Sequence, residues 1–140
     1  KKKFSDIENI EFINCGLGKE EISSTEDIHK EQTNCEHDYQ ANNINTIDNL
    51  ISGEVDFIKL DIEGAEQDTI DGAINTIQKY KPILAICVYH KAEDWYKVPQ
   101  KVLSINPDYK IYLRHYMEGI FETVMYFIPS EKSSVSKSLR

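Results

Sequence analysis

The sequence has few of the features that mark a secreted, membrane-bound or nucleic-acid-binding protein. Its three cysteines form no CxxC pair and leave at least one thiol unpaired, which is typical of a reducing compartment. No apolar run approaches the roughly 20 residues of a membrane helix, and no signal-peptide pattern opens the chain. The 16 basic residues are outnumbered by 24 acidic ones, and the net charge of −8 disfavours binding to phosphate groups. We therefore predict a cytoplasmic protein with no nucleic-acid or membrane partner.

The rest of the composition and its patterning predict one α/β domain. The chain has 140 residues, of which 40% are hydrophobic, enough for a single core. Residues 55–62, VDFIKLDI, form a predicted strand, and from Gly64 the apolar period lengthens to that of a helix. Residues 83–89, ILAICVY, are a continuous apolar run, typical of a strand buried on both faces of a parallel sheet. Strand, helix and strand therefore make a βαβ unit.

The other predicted elements lie on either side of this unit. They are a strand at 10–17, a polar surface loop at 18–43 with a short strand near Ile22, a helical turn at 44–52, a second turn followed by a helix that begins at Pro99, and an antiparallel hairpin of strands 109–116 and 121–128. Residues 129–140 are predicted to be a disordered tail or a solvated helix end.

Acidic residues follow the first strand of the βαβ unit at positions 61, 63 and 66, and His90 follows its second strand. Ligands of open α/β sheets bind beyond the carboxyl ends of the parallel strands, so we expect Asp61 and His90 to lie together. A carboxylate beside an imidazole orients the ring and favours proton uptake, for example from a hydroxyl group. We therefore interpret Asp61 and His90 as candidate catalytic residues.

Structural interpretations compete with functional ones at several positions. The acids can instead stabilise the start of the following helix, by about 0.3–1 kcal/mol each, and this alone would explain Glu66. Arg114 either approaches a ligand together with His115 or pairs with Glu122 across the hairpin. Trp95 either lines the mouth of a pocket or covers the sheet. Three further loop residues are too few and too closely spaced for a structural zinc site: His29, Cys35 and His37.

Five blocks of sequence stand out by their residues and by the order in which they occur: TIDNL, VDFIKLDIEGAE, KPILAICVYHKAEDWYKVP, PDYKIYLRHY and ETVMYF. Together they resemble the C-terminal part of the FkbM family of S-adenosylmethionine-dependent methyltransferases, over roughly residues 4–128. The resemblance implies a class I methyltransferase fold, a Rossmann-like and mostly parallel sheet with a C-terminal antiparallel hairpin. Residues 1–128 would then be a partial methyltransferase domain, truncated at its N-terminus.

By the same resemblance, the reaction is transfer of a methyl group from S-adenosylmethionine to a hydroxyl of a sugar or natural-product-like small molecule, with His90 as the base. The residues implied to lie near the cofactor are Asn14, Cys15, Gly16 and Asp61, and those near the acceptor are Glu63, Glu66, Tyr89, Arg114 and His115. Some related methyltransferases hold a divalent ion at these strand ends, where Asp61 and Glu63 would supply oxygen ligands. We predict no metal site here.

The sequence departs from the family pattern at its start. The family's first strand, its glycine-rich cofactor loop and the acidic residue that holds the ribose have no counterpart, so we expect a fragment that is inactive alone. Residues 10–17 and 55–62 would then be open strand edges, which invite pairing with another chain. We expect either a shift of residues 10–17 into the vacant position or a homo-oligomer that pairs through residues 55–62.

Two other functions stay open at this point. One is a metal-dependent hydrolase that uses Asp61 and His90. The other is a non-catalytic binding or assembly module that keeps the sheet without the cofactor. A strand and a glycine-rich loop encoded upstream would favour the methyltransferase. The sequence identifies neither the acceptor nor the regiochemistry.

Overall fold

The computed structural model describes residues 9–23, 43–119 and 121–133. The described residues form a mixed α/β fold with a three-stranded and a four-stranded sheet. Of the five strand pairings in these sheets, two are parallel and three are antiparallel. Our expectation of a mostly parallel sheet is therefore not met. The reason is the C-terminal hairpin, which supplies two of the three pairings in the larger sheet.

The smaller sheet holds the N-terminal described part of the chain, in the strand order β1-β3-β2. Its strands are β1 (Gly16–Leu17), β2 (Ile22–Ser23) and β3 (Asn43–Asn45). The short strand expected near Ile22 is confirmed. The strand predicted at 10–17 is wrong except for its last two residues, because residues 10–15 pair with no strand in the described part of the chain and most of them are exposed. The expected shift beside 55–62 is also wrong, since β1 pairs with β3.

Helix α1 (Ile47–Leu50) follows β3 directly. Thr46 is its N-cap, and the Thr46 hydroxyl accepts a hydrogen bond from the backbone N–H of Asn49 at 3.1 Å. The helical turn predicted at 44–52 is thus confirmed at its centre, while its first residues belong to a strand.

The larger sheet has the strand order β4-β5-β7-β6. Its strands are β4 (Phe57–Leu60), β5 (Ile83–Cys87), β6 (Tyr109–His115) and β7 (Thr123–Pro129). Strands β4 and β5 pair in parallel, which confirms the βαβ unit, and β6 and β7 form the predicted hairpin. Strand β4 lies at one edge of this sheet, whereas β5 has a neighbouring strand on each side. This position agrees with the continuous apolar run of β5.

The connection between β4 and β5 holds two helices, α2 (Glu66–Asp71) and α3 (Ile74–Tyr80), where the sequence predicted one. The break coincides with contacts to α1 and to the residue that follows β1. The carboxylate of Asp48 accepts hydrogen bonds from the backbone N–H groups of Asn75 and Thr76, at 3.0 and 2.8 Å, and so caps α3 from a distant part of the chain. Gly72 lies at the break, where an added Cβ would come within 2.1 Å of the Gly18 carbonyl oxygen.

Helix α4 (Asp94–Ile105) packs against α2 and buries Val98 and Val102. The prediction that this helix begins at Pro99 is wrong, because it begins at Asp94 and Pro99 lies inside it. Asp94 is buried, and its Oδ2 accepts a hydrogen bond from the backbone N–H of Lys91 at 3.2 Å, which fixes the chain just before the first turn.

The main core lies between the larger sheet and helices α2 to α4. Its largest fully buried aliphatic and aromatic side chains are Ile70, Ile77, Leu84, Ile86, Val88, Val98, Val102 and Phe127. A short helix, α5 (Ser130–Ser133), follows β7. The histidine and cysteine residues of the polar loop, His29, Cys35 and His37, lie outside the described residues.

Candidate active site at the carboxyl ends of two parallel strands

The candidate site is built at the point where β4 and β5 end. The register pairs Leu60 with Ile86, so the segments that follow, Asp61 to Ala65 and Val88 to Glu93, leave the sheet side by side. This is the edge of an α/β sheet at which ligands bind. The structure thereby brings Asp61 and His90 together, as the sequence predicted.

The turn after β4 has an unusual backbone. Glu63 (φ 55°) and Gly64 (φ 95°) both adopt left-handed conformations, which glycine tolerates and which cost a residue with a side chain about 1 kcal/mol. The Gly64 carbonyl oxygen accepts a hydrogen bond from Nζ of Lys91 at 2.5 Å, which ties the turn to the segment after β5. The turn reverses the chain tightly enough that Oε1 of Glu66 accepts a hydrogen bond from the backbone N–H of Ile62 at 3.0 Å.

Glu66 and His90 form a buried pair. Oε1 of Glu66 lies 2.8 Å from Nδ1 of His90, and the two side chains are 0% and 7% exposed. A carboxylate at Nδ1 holds the imidazole proton on that nitrogen, which leaves Nε2 as the acceptor. Nε2 is buried and has no hydrogen-bond partner among the described residues. The pair therefore holds a proton-accepting nitrogen in a fixed orientation inside the cluster.

Two more carboxylates approach the free nitrogen of His90. Oδ1 of Asp61 lies 3.7 Å from Nε2, and Oε2 of Glu63 lies 3.6 Å from it. Both distances are longer than a hydrogen bond. The Glu63 side chain is 66% exposed, whereas that of Asp61 is 30% exposed, so Glu63 lies at the solvent side of the cluster.

Asp61 is held as a carboxylate by its neighbours. Burial alone would raise the pKa of Asp61, but hydrogen bonds from the Cys87 thiol, the Tyr89 hydroxyl and the Lys59 ammonium outweigh burial, so the pKa is lowered. The Tyr89 hydroxyl donates to Oδ1 at 3.1 Å, and Lys59 approaches Oδ2 at 3.4 Å. Burial and the contact with Asp61 raise the pKa of Tyr89, so this hydroxyl remains a donor.

The other predicted site residues are more dispersed. Tyr89 lies inside the cluster, with its ring 4.1 Å from that of His90. His115 ends β6, and its Nδ1 lies 2.8 Å from the Thr123 hydroxyl. Arg114 lies on the opposite face of β6 from His115 and donates to the backbone oxygen of Leu113 at 2.9 Å. The predicted cofactor segment, Asn14 to Gly16, leads into the smaller sheet, whereas Asp61 follows the larger one.

Sequence reasoning missed the partner of His90. Glu66 was expected at the acceptor or as a helix cap, but it is fully buried and contacts His90 instead. The available signal was its position in the first turn of α2, facing the carboxyl end of β5. The contact of the Cys87 thiol with Asp61 was not predicted either. Burial and this contact raise the pKa of Cys87 to about 12.

No group of three or more histidine, cysteine, aspartate or glutamate side chains in residues 9–23, 43–119 and 121–133 is arranged to hold a metal ion. In the same ranges, no helix is long and apolar enough to cross a membrane.

Comparison with known proteins identifies the family. Residues 6–110 match the methyltransferase FkbM domain. The chain belongs to the FkbM methyltransferase family. A crystal structure of a methyltransferase FkbM from Methylobacillus flagellatus KT is similar to this chain, with a TM-score of 0.67 and 34% sequence identity. The alignment covers 81% of this chain and 27% of that one, so this FkbM domain spans a minor part of the length of its structural neighbour. No curated protein matches the chain.

Proposed function

We propose that this FkbM domain takes part in methyl transfer from S-adenosylmethionine to a hydroxyl oxygen, with His90 as the base that receives the hydroxyl proton. The observation that carries the proposal is the contact between Glu66 and Nδ1 of His90, which leaves Nε2 as an oriented acceptor at the carboxyl ends of β4 and β5. Membership in a methyltransferase family supports the reaction class.

The residues present suit a positively charged cofactor. Asp61 and Glu63 place carboxylate oxygens near one another at the open side of the cluster, and the lowered pKa of Asp61 keeps that group negative. Bound S-adenosylmethionine would supply a methyl group on a cationic sulfur, which becomes a neutral thioether when the methyl group leaves. We propose Asp61 and Glu63 as the residues of this chain that face the cationic part of the cofactor.

The residues of the chain then have distinct tasks. His90 accepts the acceptor's proton at Nε2 as the new oxygen–carbon bond forms. Glu66 stays buried and keeps the imidazole oriented, and it also stabilises the positive charge that the ring acquires. Tyr89 keeps Asp61 in place through its hydroxyl. Because Glu66 is not exposed, we place it behind His90 and not against the acceptor.

The larger sheet supports a class I methyltransferase architecture as part of this proposal. In that architecture, as the sequence resemblance implies it, the last two strands form an antiparallel hairpin beside the parallel strands. The observed order β4-β5-β7-β6 has this hairpin next to β5.

The test is a calorimetric titration of S-adenosylhomocysteine into this chain and into the longest protein that its gene encodes, followed by turnover measurements on whichever form binds. We expect His90→Ala to lower turnover by about 10²- to 10⁴-fold, the usual contribution of a general base, while binding of S-adenosylhomocysteine persists. Asp61→Asn should weaken binding of S-adenosylmethionine, titrated in the same way, more than binding of S-adenosylhomocysteine, because only S-adenosylmethionine carries the cationic sulfur that Asp61 is proposed to face.

Asp108→Asn is the matched control, since it removes the same charge from an exposed position. Asp108 precedes the first residue of β6, whereas His115, at the other end of this strand, lies near the site. If Asp108→Asn weakens binding as much as Asp61→Asn, the change in the protein's net charge explains the weaker binding, and a local contact of Asp61 with the cofactor does not. If no form of the protein binds S-adenosylhomocysteine, the proposal is wrong, and the acidic residues serve the local structure alone.

A further inference from the structure

A cavity of about 540 Å³ opens beside the carboxylate and imidazole cluster. It lies at the same end of the larger sheet, between the start of α4 and the ends of the hairpin strands. The side chains that line it are Tyr89, Ala92, Trp95, Leu113, His115 and Thr123. Its volume is within the range of pockets that bind small molecules.

The lining is apolar in its chemistry. Trp95 and Leu113 contribute large hydrophobic side chains to the lining and are 48% and 42% exposed. Four lining side chains carry a polar group. His115 and Thr123 lie 2.8 Å apart and bond to each other, the Tyr89 hydroxyl donates to Asp61, and Trp95 has one indole N–H. The walls of the cavity therefore offer few free hydrogen-bonding groups to a ligand.

Tyr89 connects this cavity to the candidate active site. Its ring lines the cavity and lies 4.1 Å from the ring of His90 between centroids, while its hydroxyl donates to Asp61. Phe121 extends the apolar surface, since its ring makes a T-shaped contact with that of Tyr89 at a centroid distance of 6.1 Å. A molecule in the cavity would thus have an apolar body against Trp95 and Leu113, and one end near the acids and His90.

We propose that this cavity binds the body of the methyl acceptor, and that the acceptor is an apolar cyclic or aromatic alcohol and not a sugar. The inference rests on the proposed methyl transfer and adds the substrate class. A sugar ring exposes hydroxyl groups on most of its perimeter, and each one left unpaired against Leu113 or Ala92 would lose its hydrogen bonds to water. An apolar ring with a single hydroxyl would bury its carbon skeleton and direct the hydroxyl past Tyr89.

Trp95 provides a direct test, because it is the only tryptophan in the chain and it lines the cavity. Menthol and methyl glucoside are both transparent where tryptophan is excited, so either one can be titrated while Trp95 emission is recorded. We expect menthol to shift this emission to shorter wavelength with saturation at a Kd of about 1 mM, as suits a small apolar ligand, and methyl glucoside to leave it unchanged.

Leu113→Asp should weaken menthol binding at least tenfold by placing a charge in the apolar wall. Ile111→Asp is its matched control, because Ile111 lies on the same strand, is 40% exposed and does not line the cavity. Saturable menthol binding that only Leu113→Asp weakens would support the inference. Equal binding of methyl glucoside, no saturable binding of either probe, or equal effects of the two variants would overturn it.

Comparison of menthol with menthone, which lacks the hydroxyl, separates this inference from the proposed function. Weaker binding of menthone, with the difference lost in His90→Ala, would support both. Equal binding of the two probes in the cavity would support the apolar acceptor site and count against His90 as the group that receives the hydroxyl proton.

Discussion

Oε1 of Glu66 lies 2.8 Å from Nδ1 of His90, and the two side chains are almost completely buried. These residues are 24 positions apart and come from the start of α2 and the segment after β5. The same Glu66 oxygen also accepts the backbone N–H of Ile62, so one atom joins the turn after β4 to the imidazole. The orientation of His90 therefore depends on the turn that carries the exposed carboxylates.

The Glu66–His90 contact predicts a fixed imidazole tautomer. Because the carboxylate holds the proton on Nδ1, nitrogen-15 NMR of His90 at a pH where the ring is neutral should show a protonated Nδ1 and an unprotonated Nε2. In Glu66→Gln this preference should weaken, because the charge that favours it is gone, and turnover should fall less than in His90→Ala. The opposite tautomer in the unsubstituted protein would contradict the proposed role of Nε2.

Removal of the Glu66 side chain should destabilise the fold. Glu66→Ala leaves the buried ring of His90 without its partner, and we expect a loss of about 3 kcal/mol in the free energy of unfolding, measured by urea denaturation. Glu93→Ala is the control, because Glu93 pairs with Lys97 at the helix surface and should change stability little. Equal losses in the two variants would show that burial of the pair is not the cause.

The contact between Gly72 and Gly18 predicts a steric effect. Gly72→Ala would place a Cβ 2.1 Å from the Gly18 carbonyl oxygen, so the smaller sheet must move away from the break between α2 and α3. We expect a loss of about 2 kcal/mol in the free energy of unfolding. Gly53→Ala is the matched control, because nothing lies within 4 Å of its Cβ position, and it should be neutral in the same assay.

Asp48 predicts a pH dependence of stability. Burial alone would raise the pKa of Asp48, but hydrogen bonds from Thr76 and Asn75 lower it overall. A lowered pKa in the folded state stabilises the fold above the unfolded pKa, and this contribution is lost as pH falls through the folded value. Asp48→Ala should therefore cost about 1 kcal/mol of unfolding free energy at neutral pH and less in acid. A cost that does not change between neutral and strongly acidic pH would contradict the capping role.

Cys87 is expected to be inert in the folded protein. It is fully buried, and burial together with the neighbouring Asp61 carboxylate raises its pKa to about 12, so little thiolate forms at neutral pH. Alkylation with iodoacetamide, followed by peptide mass spectrometry, should label Cys87 only after unfolding. Cys15, which is partly exposed, is the internal comparison and should react in the folded state. Labelling of Cys87 at the rate of Cys15 would show that the strand end opens.

The sequence predicted the larger sheet because its strands carry their signal locally. The apolar run of β5 and the alternation of β6 and β7 identify strands wherever they pack. It did not predict the break between α2 and α3, because the contacts made there come from the distant carboxylate of Asp48. Residues 10–15 alternate like a strand but lack a neighbouring strand in the described structure, and a pattern alone cannot supply one.

The candidate site was likewise predictable where the signal is local or topological, and not where it depends on a particular contact. Topology alone brought Asp61 and His90 to one edge, since both follow parallel strands. The partner of His90 was not predictable in this way, because an acid in the first turn of a helix is equally well explained by the helix dipole. Only the backbone of Glu63 and Gly64, which turns the chain back on itself, directs Glu66 inward.

The position of Pro99 inside α4 has a consequence for the cavity. Proline has no backbone N–H, so the carbonyl oxygen of Trp95 lacks the donor that the fourth following residue of a helix would supply. The turn of α4 that carries the Trp95 wall is therefore joined to the rest of the helix by one backbone hydrogen bond fewer than an uninterrupted helix would provide.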